Sequence, residues 1–96
     1  MSKVYIISYD LNKPGQDYQD LYKRLKDYSS WWHYLDSTWL VYTSSSPDEI
    51  YKNLKPTLDK NDYILIIEVK KNYQGFLPEK AWNWINKYIP DRVNFY

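Results

Sequence analysis

Three short stretches of this chain hold residue types that could do chemistry. The strand-like run from Val4 ends on the carboxylate of Asp10, and Asn12 and Lys13 follow it in a turn. Thr43 leads into Ser44, Ser45 and Ser46, a run of hydroxyls just before a helix start. Trp32, His33 and Tyr34 set the single histidine between two large rings. Helix N-termini offer unpaired N–H groups and a positive dipole end to a phosphate, and an aspartate beside them can hold Mg²⁺ through oxygen, with water completing the shell. Asp10 is therefore the candidate catalytic residue and metal ligand. Asn12, Lys13, Ser44, Ser45, Trp32, His33 and Tyr34 are the candidate ligand-binding residues. Plainer roles stand beside these: an Asx-type turn at Asp10, a helix cap at Ser46, and loop positions at Ser44 and Ser45.

Other chemistries are disfavoured by what is missing. Without cysteine there is no disulfide framework, thiolate metal site or cysteine nucleophile, and the lone His33 has no partner histidine for zinc. Ser37, His33 and Asp36 are too crowded in one hairpin to make a hydrolase triad, and no nucleophile elbow accompanies them. The net charge of +1 is too small for the electrostatic footprint of a duplex-binding domain. What stands out instead is ring content: 12 Tyr, 5 Trp and 2 Phe in 96 residues are more than so small a core can hide. Exposed rings stack bases or cover a subunit interface. Tyr5, Tyr9, Trp31, Trp32, Tyr34, Trp39 and Tyr42 are the candidates for an uncovered sheet face.

The elements that must position these residues can be read in order. Lys3 to Asp10 is β-branched and aromatic and apolar on both alternating faces until Ser8, the pattern of a central strand. Tyr18, Leu21, Tyr22, Leu25 and Tyr28 recur at helical spacing. Trp32 to Leu35 and Thr38 to Thr43 read as strands joined by a tight turn at Asp36-Ser37. Ser46-Pro47-Asp48-Glu49 is a capping box with proline at the first helical position, and Pro56 ends or kinks the helix that follows. Tyr63 to Val69 reads as a strand buried on both faces, and Pro78 to Ile89 as a third helix before a short last strand at Arg92 to Tyr96.

The order βαββαβ gives an α+β chain of ferredoxin-like type, an antiparallel sheet ordered 4-1-3-2 with helices on one face. It forms a single domain over 1–96, with the core over 1–70 and a C-terminal helix and tail over 71–96. Taking strands one and three as parallel neighbours brings Asp10, Asn12 and Lys13 to the same sheet edge as Thr43 to Ser46. No apolar run reaches the roughly 18 residues of a membrane span, and no signal peptide pattern precedes the first strand, so the cytoplasm is the expected location and no membrane partner is expected.

Val4-Tyr5-Ile6-Ile7-Ser8-Tyr9-Asp10-Leu11, with an aspartate closing the first strand of a βαββαβ chain, resembles the small CRISPR-associated adaptation proteins of the "Cas-two" family. Trp31-Trp32-His33-Tyr34-Leu35-Asp36-Ser37-Thr38-Trp39 and Leu54-Lys55-Pro56 are more similar to its standalone SinR-like relatives of bacteria and phages. The likeness covers roughly residues 3 to 70. It implies a homodimer in which two Asp10 carboxylates face each other, Mg²⁺-dependent phosphodiester cleavage at that residue in nuclease-like members, and nucleic-acid scaffolding without cleavage in others. The ring-rich hairpin, the third helix and the small basic load depart from that pattern and point to a short nucleic acid or nucleotide. Three readings stand at this stage: a nuclease-like dimer, a non-catalytic module that sequesters a small nucleotide signal in phage–host conflict, and a protein-interaction subunit.

Overall fold

Lys3–Asp10 forms β1 of the computed structural model, which describes residues 1–13, 15 and 17–89. The later elements are α1 (Gln19–Lys26), β2 (Ser30–His33), β3 (Thr38–Thr43), α2 (Pro47–Leu54) with a 3-10 turn at Lys55–Thr57, β4 (Tyr63–Glu68) and α3 (Glu79–Tyr88). The last strand expected at Arg92 to Tyr96 lies outside the described residues. One sheet holds the four strands in the order β2-β3-β1-β4, and every neighbouring pair is antiparallel. The fold is α+β, and no helix among the described residues is long and apolar enough to cross a membrane.

Strand alternation divides the side chains between two faces. Tyr5, Ile7 and Tyr9 of β1 and Trp39 and Val41 of β3 point to the first face, where Leu21 and Leu25 of α1 and Ile50 and Leu54 of α2 close over them. The second face carries Val4, Leu40 and Tyr42, and Ile85 and Ile89 bring α3 against it. Helices therefore cover both faces, not one. Tyr5, Tyr9 and Trp39 are buried beneath α1 and α2 rather than displayed, because their register positions place them on the closed side. The Trp39 indole N–H donates to the Tyr9 hydroxyl at 2.9 Å, which satisfies a polar group that the core would otherwise strand.

Local chemistry explains most element ends. At the start of α2 the Ser46 hydroxyl accepts from the Glu49 amide while the Glu49 carboxylate accepts from the Ser46 amide, closing the capping box. Pro56 cannot donate a backbone N–H, and the chain tightens into its 3-10 turn there. The β2–β3 connection is longer than the expected two-residue turn. A tight hairpin needs positive φ, which glycine or asparagine supplies; the sequence offers neither, and the loop opens to 34–37, with the Thr38 amide donating to the Leu35 carbonyl at 3.1 Å. Strand β4 also differs from expectation. It is an edge strand whose Ile64 and Ile66 pack on the first-face core while Tyr63, Leu65 and Ile67 remain 71%, 58% and 51% exposed.

Replacing Tyr9 by Phe removes the acceptor for the Trp39 indole while keeping ring volume. The expected cost is about 1–3 kcal/mol, the penalty of a buried donor without a partner, read as a lower midpoint in chemical denaturation with an unchanged slope.

Candidate functional site

Antiparallel pairing decides which of the candidate residues can meet. Lys3 of β1 stands opposite Thr43 and Ser8 opposite Thr38, so the Asp10 end of β1 lies beside the start of β3. The expectation of parallel strands is corrected: a β1–α1–β2 crossover followed by a β2–β3 hairpin reverses β3 relative to β1. Ser44 and Ser45 therefore emerge at the far end of the sheet, the length of β1 away, roughly 25 Å at ~3.3 Å per residue. There the Ser45 amide donates to the Thr43 hydroxyl at 3.1 Å. No single edge gathers the carboxylate and the serine run.

Asn12 and Lys13 belong to a polar tie that the sequence analysis missed, centred on Asp62. The Asp62 carboxylate accepts from the Asn12 amide at 2.6 Å, the Asp59 amide at 2.7 Å and the Tyr18 hydroxyl at 2.8 Å. Asn12 also donates through Nδ2 to the Asn61 carbonyl, and the Lys13 ammonium lies 3.5 Å from Asp59. The turn after β1 is thereby pinned to the turn before β4. Partial desolvation pushes the Asp62 carboxyl upward, yet the two amide donors, the tyrosine hydroxyl and the Lys13 charge outweigh it and hold the group below its ordinary value. The signal for this role was the Asp59-Lys60-Asn61-Asp62 run, whose Asx residues suit a turn.

The three hairpin residues split between faces. His33 stacks on Trp39 of the first face, ring centroids 4.0 Å apart and planes 12° from parallel, and its Nε2 lies 3.2 Å from the Asp36 carbonyl. Trp31 meets Trp39 at a tilt of 46°, with Lys26 over its ring. Trp32 and Tyr34 instead line a cleft on the second face, between the sheet and the segment that leads into α3. Its volume is about 330 Å³. Tyr73, Phe76 and Trp82 supply further rings, and Thr38 and Gln74 its polar margin. None of its lining residues is charged. On two of the lining residues a polar atom, Trp32 Nε1 and the Tyr73 hydroxyl, is buried away from the open space and has no hydrogen-bond partner among the described residues. Orphaned groups of this kind cost about 1–3 kcal/mol each.

Asp10 lies on the same second face, opposite Tyr63 of β4 and two positions beyond Ser8, in the part that α3 leaves uncovered. A magnesium ion asks for several oxygen ligands, at least one or two of them carboxylates. Asp10 offers one, the Asp62 oxygens are committed to three donors, and no group of three or more His, Asp or Glu stands together among the described residues. The described residues of one chain assemble no cluster of oxygen ligands for the ion.

Acid should test the tie. Because the folded-state pKa of Asp62 is depressed, its contribution to stability is complete above the unfolded value near ~4 and is lost as pH falls through the folded value. Asp62→Ala is expected to destabilise the fold by about 1–2 kcal/mol at neutral pH and to flatten the loss of stability as pH falls below about 5, measured by denaturation at a series of acid pH values. No protein-family model matches the chain, and no match is found among curated proteins or among solved structures.

Proposed function

We propose that this protein is a non-catalytic binding module for a nucleotide or a short nucleic acid, working as a homodimer. The cleft carries the reading: it is walled by rings, free of charged lining residues, and has Thr38 and Gln74 among its lining. Pockets of this size, mostly apolar with a few convergent polar groups, are the usual form of a small-molecule site. The net charge of +1 agrees with a short ligand rather than a long duplex. The β2-β3-β1-β4 order in a βαββαβ chain supports a ferredoxin-like domain, to which α3 adds a second layer. From the Cas-two-like resemblance the proposal keeps the nucleic-acid chemistry and leaves out cleavage, since no group of three or more His, Asp or Glu stands together among the described residues to hold a cation.

Strand β4 supports the dimer. It leaves one backbone edge unpaired and carries neither lysine nor proline along that edge, the devices that ordinarily discourage strand addition. Antiparallel addition of a second β4 centred on Leu65 would set Tyr63 opposite the other copy's Ile67, extending one apolar row across both sheets.

Calorimetric titration with ribonucleoside monophosphates, cyclic dinucleotides and short single strands, followed by chromatography of the mixture in Mg²⁺, should show stoichiometric binding without turnover. Cleaved product lost in Asp10→Ala would replace this reading by the nuclease one. For the dimer, sedimentation should give twice the chain mass for the native protein and one chain mass for Leu65→Lys, which puts a charge in the middle of the apolar row. A native monomer removes the dimer.

A further inference from the structure

The net charge of +1 conceals a division of charge along the sheet. Asp10, Asp36, Asp59 and Asp62 gather at the end where β1 leaves it: the Ser37 carbonyl next to Asp36 accepts from the Tyr9 amide, and Asp62 accepts from the Asn12 and Asp59 amides. At the opposite end Lys3 enters β1 while Lys70 and Lys71 follow β4, because antiparallel pairing sets Tyr5 opposite Glu68. These three lysines line a hollow of about 360 Å³.

Glu68 is the one acidic residue among the described lining of that hollow. The hydrogen bond from Lys70 at 3.0 Å and the Lys3 charge at 3.8 Å hold its carboxyl below the ordinary range, so it stays ionised, yet one carboxylate cannot neutralise three ammonium groups. Lys71 stands over the Tyr73 ring, and Lys87 over the ring of Tyr88, which lines the hollow too. A ring face attracts an ammonium without cancelling its charge. Asp48 and Glu49 at the start of α2 belong to the first face, where Lys52 and the Ser46 amide engage them. The hollow is therefore left with a surplus of positive charge. It also adjoins the ring-walled cleft, since Val69 and Ile89 line both. The cleft has no charged residue in its lining, so the anionic part of a nucleotide has to be met outside it.

Resting on the binding function proposed above, we infer that the hollow lined by Lys3, Lys70 and Lys71 holds the phosphate groups of the ligand. Ammonium groups on long stems meet phosphate as point charges rather than in a fixed fork, so the site reads closely spaced negative charge. A short strand, a nucleoside triphosphate and a free polyphosphate share that chemistry.

The test titrates a labelled five-nucleotide RNA of mixed sequence, ATP, GTP and inorganic tripolyphosphate into the native protein and two triple variants. Lys3→Gln with Lys70→Gln and Lys71→Gln empties the hollow of charge. Lys23→Gln with Lys52→Gln and Lys55→Gln removes as many exposed charges from the helical layer of the first face. The hollow variant should bind the RNA or a triphosphate about tenfold more weakly at an unchanged thermal midpoint, and the control within about twofold of native. On the native protein alone, RNA affinity should fall with salt at a logarithmic slope of about −2, as three phosphate contacts require. RNA or nucleotide binding that the hollow variant leaves intact, that both variants weaken equally, or that salt does not affect overturns this inference alone. Tripolyphosphate bound through the three lysines while no RNA or nucleotide binds sustains the hollow as a phosphate site and overturns the function on which the inference rests. Failure of the native protein to bind any of the four probes overturns both.

Discussion

A four-stranded sheet whose two central strands are apolar on both faces needs cover on both sides, and this requirement organises the protein. Val4 and Tyr5 are adjacent positions on β1 whose side chains point in opposite directions, and each is buried. The first face is closed by α1 and α2 packing side by side, with the Arg24 guanidinium donating to the Asn53 carbonyl at 2.7 Å between them. Among the described residues, those left for the second face are the ten residues of α3 and the segments beside it. They cover Val4, Leu40 and Tyr42 and stop short of the β4 edge. The cleft and the exposed row Tyr63, Leu65 and Ile67 are both consequences of this shortfall in cover.

Ring content follows from the same constraint. Large aromatic side chains close area quickly when few residues are at hand. On the first face Trp39 is ringed by Tyr9, Tyr22, Trp31 and His33, and on the second Tyr88 bridges Tyr42 and Trp84. The Trp84 indole donates to the Ser30 hydroxyl at 2.9 Å, which ties α3 to β2 at the outer edge of the sheet. Trp32 and Tyr73 are exceptions to this pattern, since their polar atoms are buried without a partner among the described residues. Buried polar groups are ordinarily satisfied, and these two carry a desolvation cost that the ring packing around them has to offset.

The polar tie at Asp62 plays the complementary part. Backbone groups leaving β1 and entering β4 would otherwise depend on water, and a single carboxylate takes two of those amides together with a tyrosine hydroxyl. It holds the Asp10 end of the sheet in place while committing Asn12 and Lys13 to structure. The turn that follows β1 is thus pinned by hydrogen bonds, while Asp10 itself is exposed on the second face.

The sequence by itself determined what depends on neighbours along the chain. The capping box at Ser46 and Glu49, the period of Leu21 and Leu25, the two-sided apolar pattern of β1 and the stop at Pro56 were all legible, because caps, amphipathic spacing and proline act within a few residues. Strand direction was not, and with it went the grouping of Asp10 with Ser44 and Ser45: relative direction is fixed by crossovers and hairpin pairing, which are relations between distant segments. The apolar run of β4 was equally ambiguous, since Tyr63 to Glu68 reads the same whether a strand is central or at an edge with one face bare. Only tertiary packing decided that Trp32 and His33, adjacent in the chain, serve opposite faces and different purposes, one lining a cleft and the other stacked on the core. The physical reason is the two-residue period of a strand, which gives a sequence alternating sides and leaves the fold to say which side is covered.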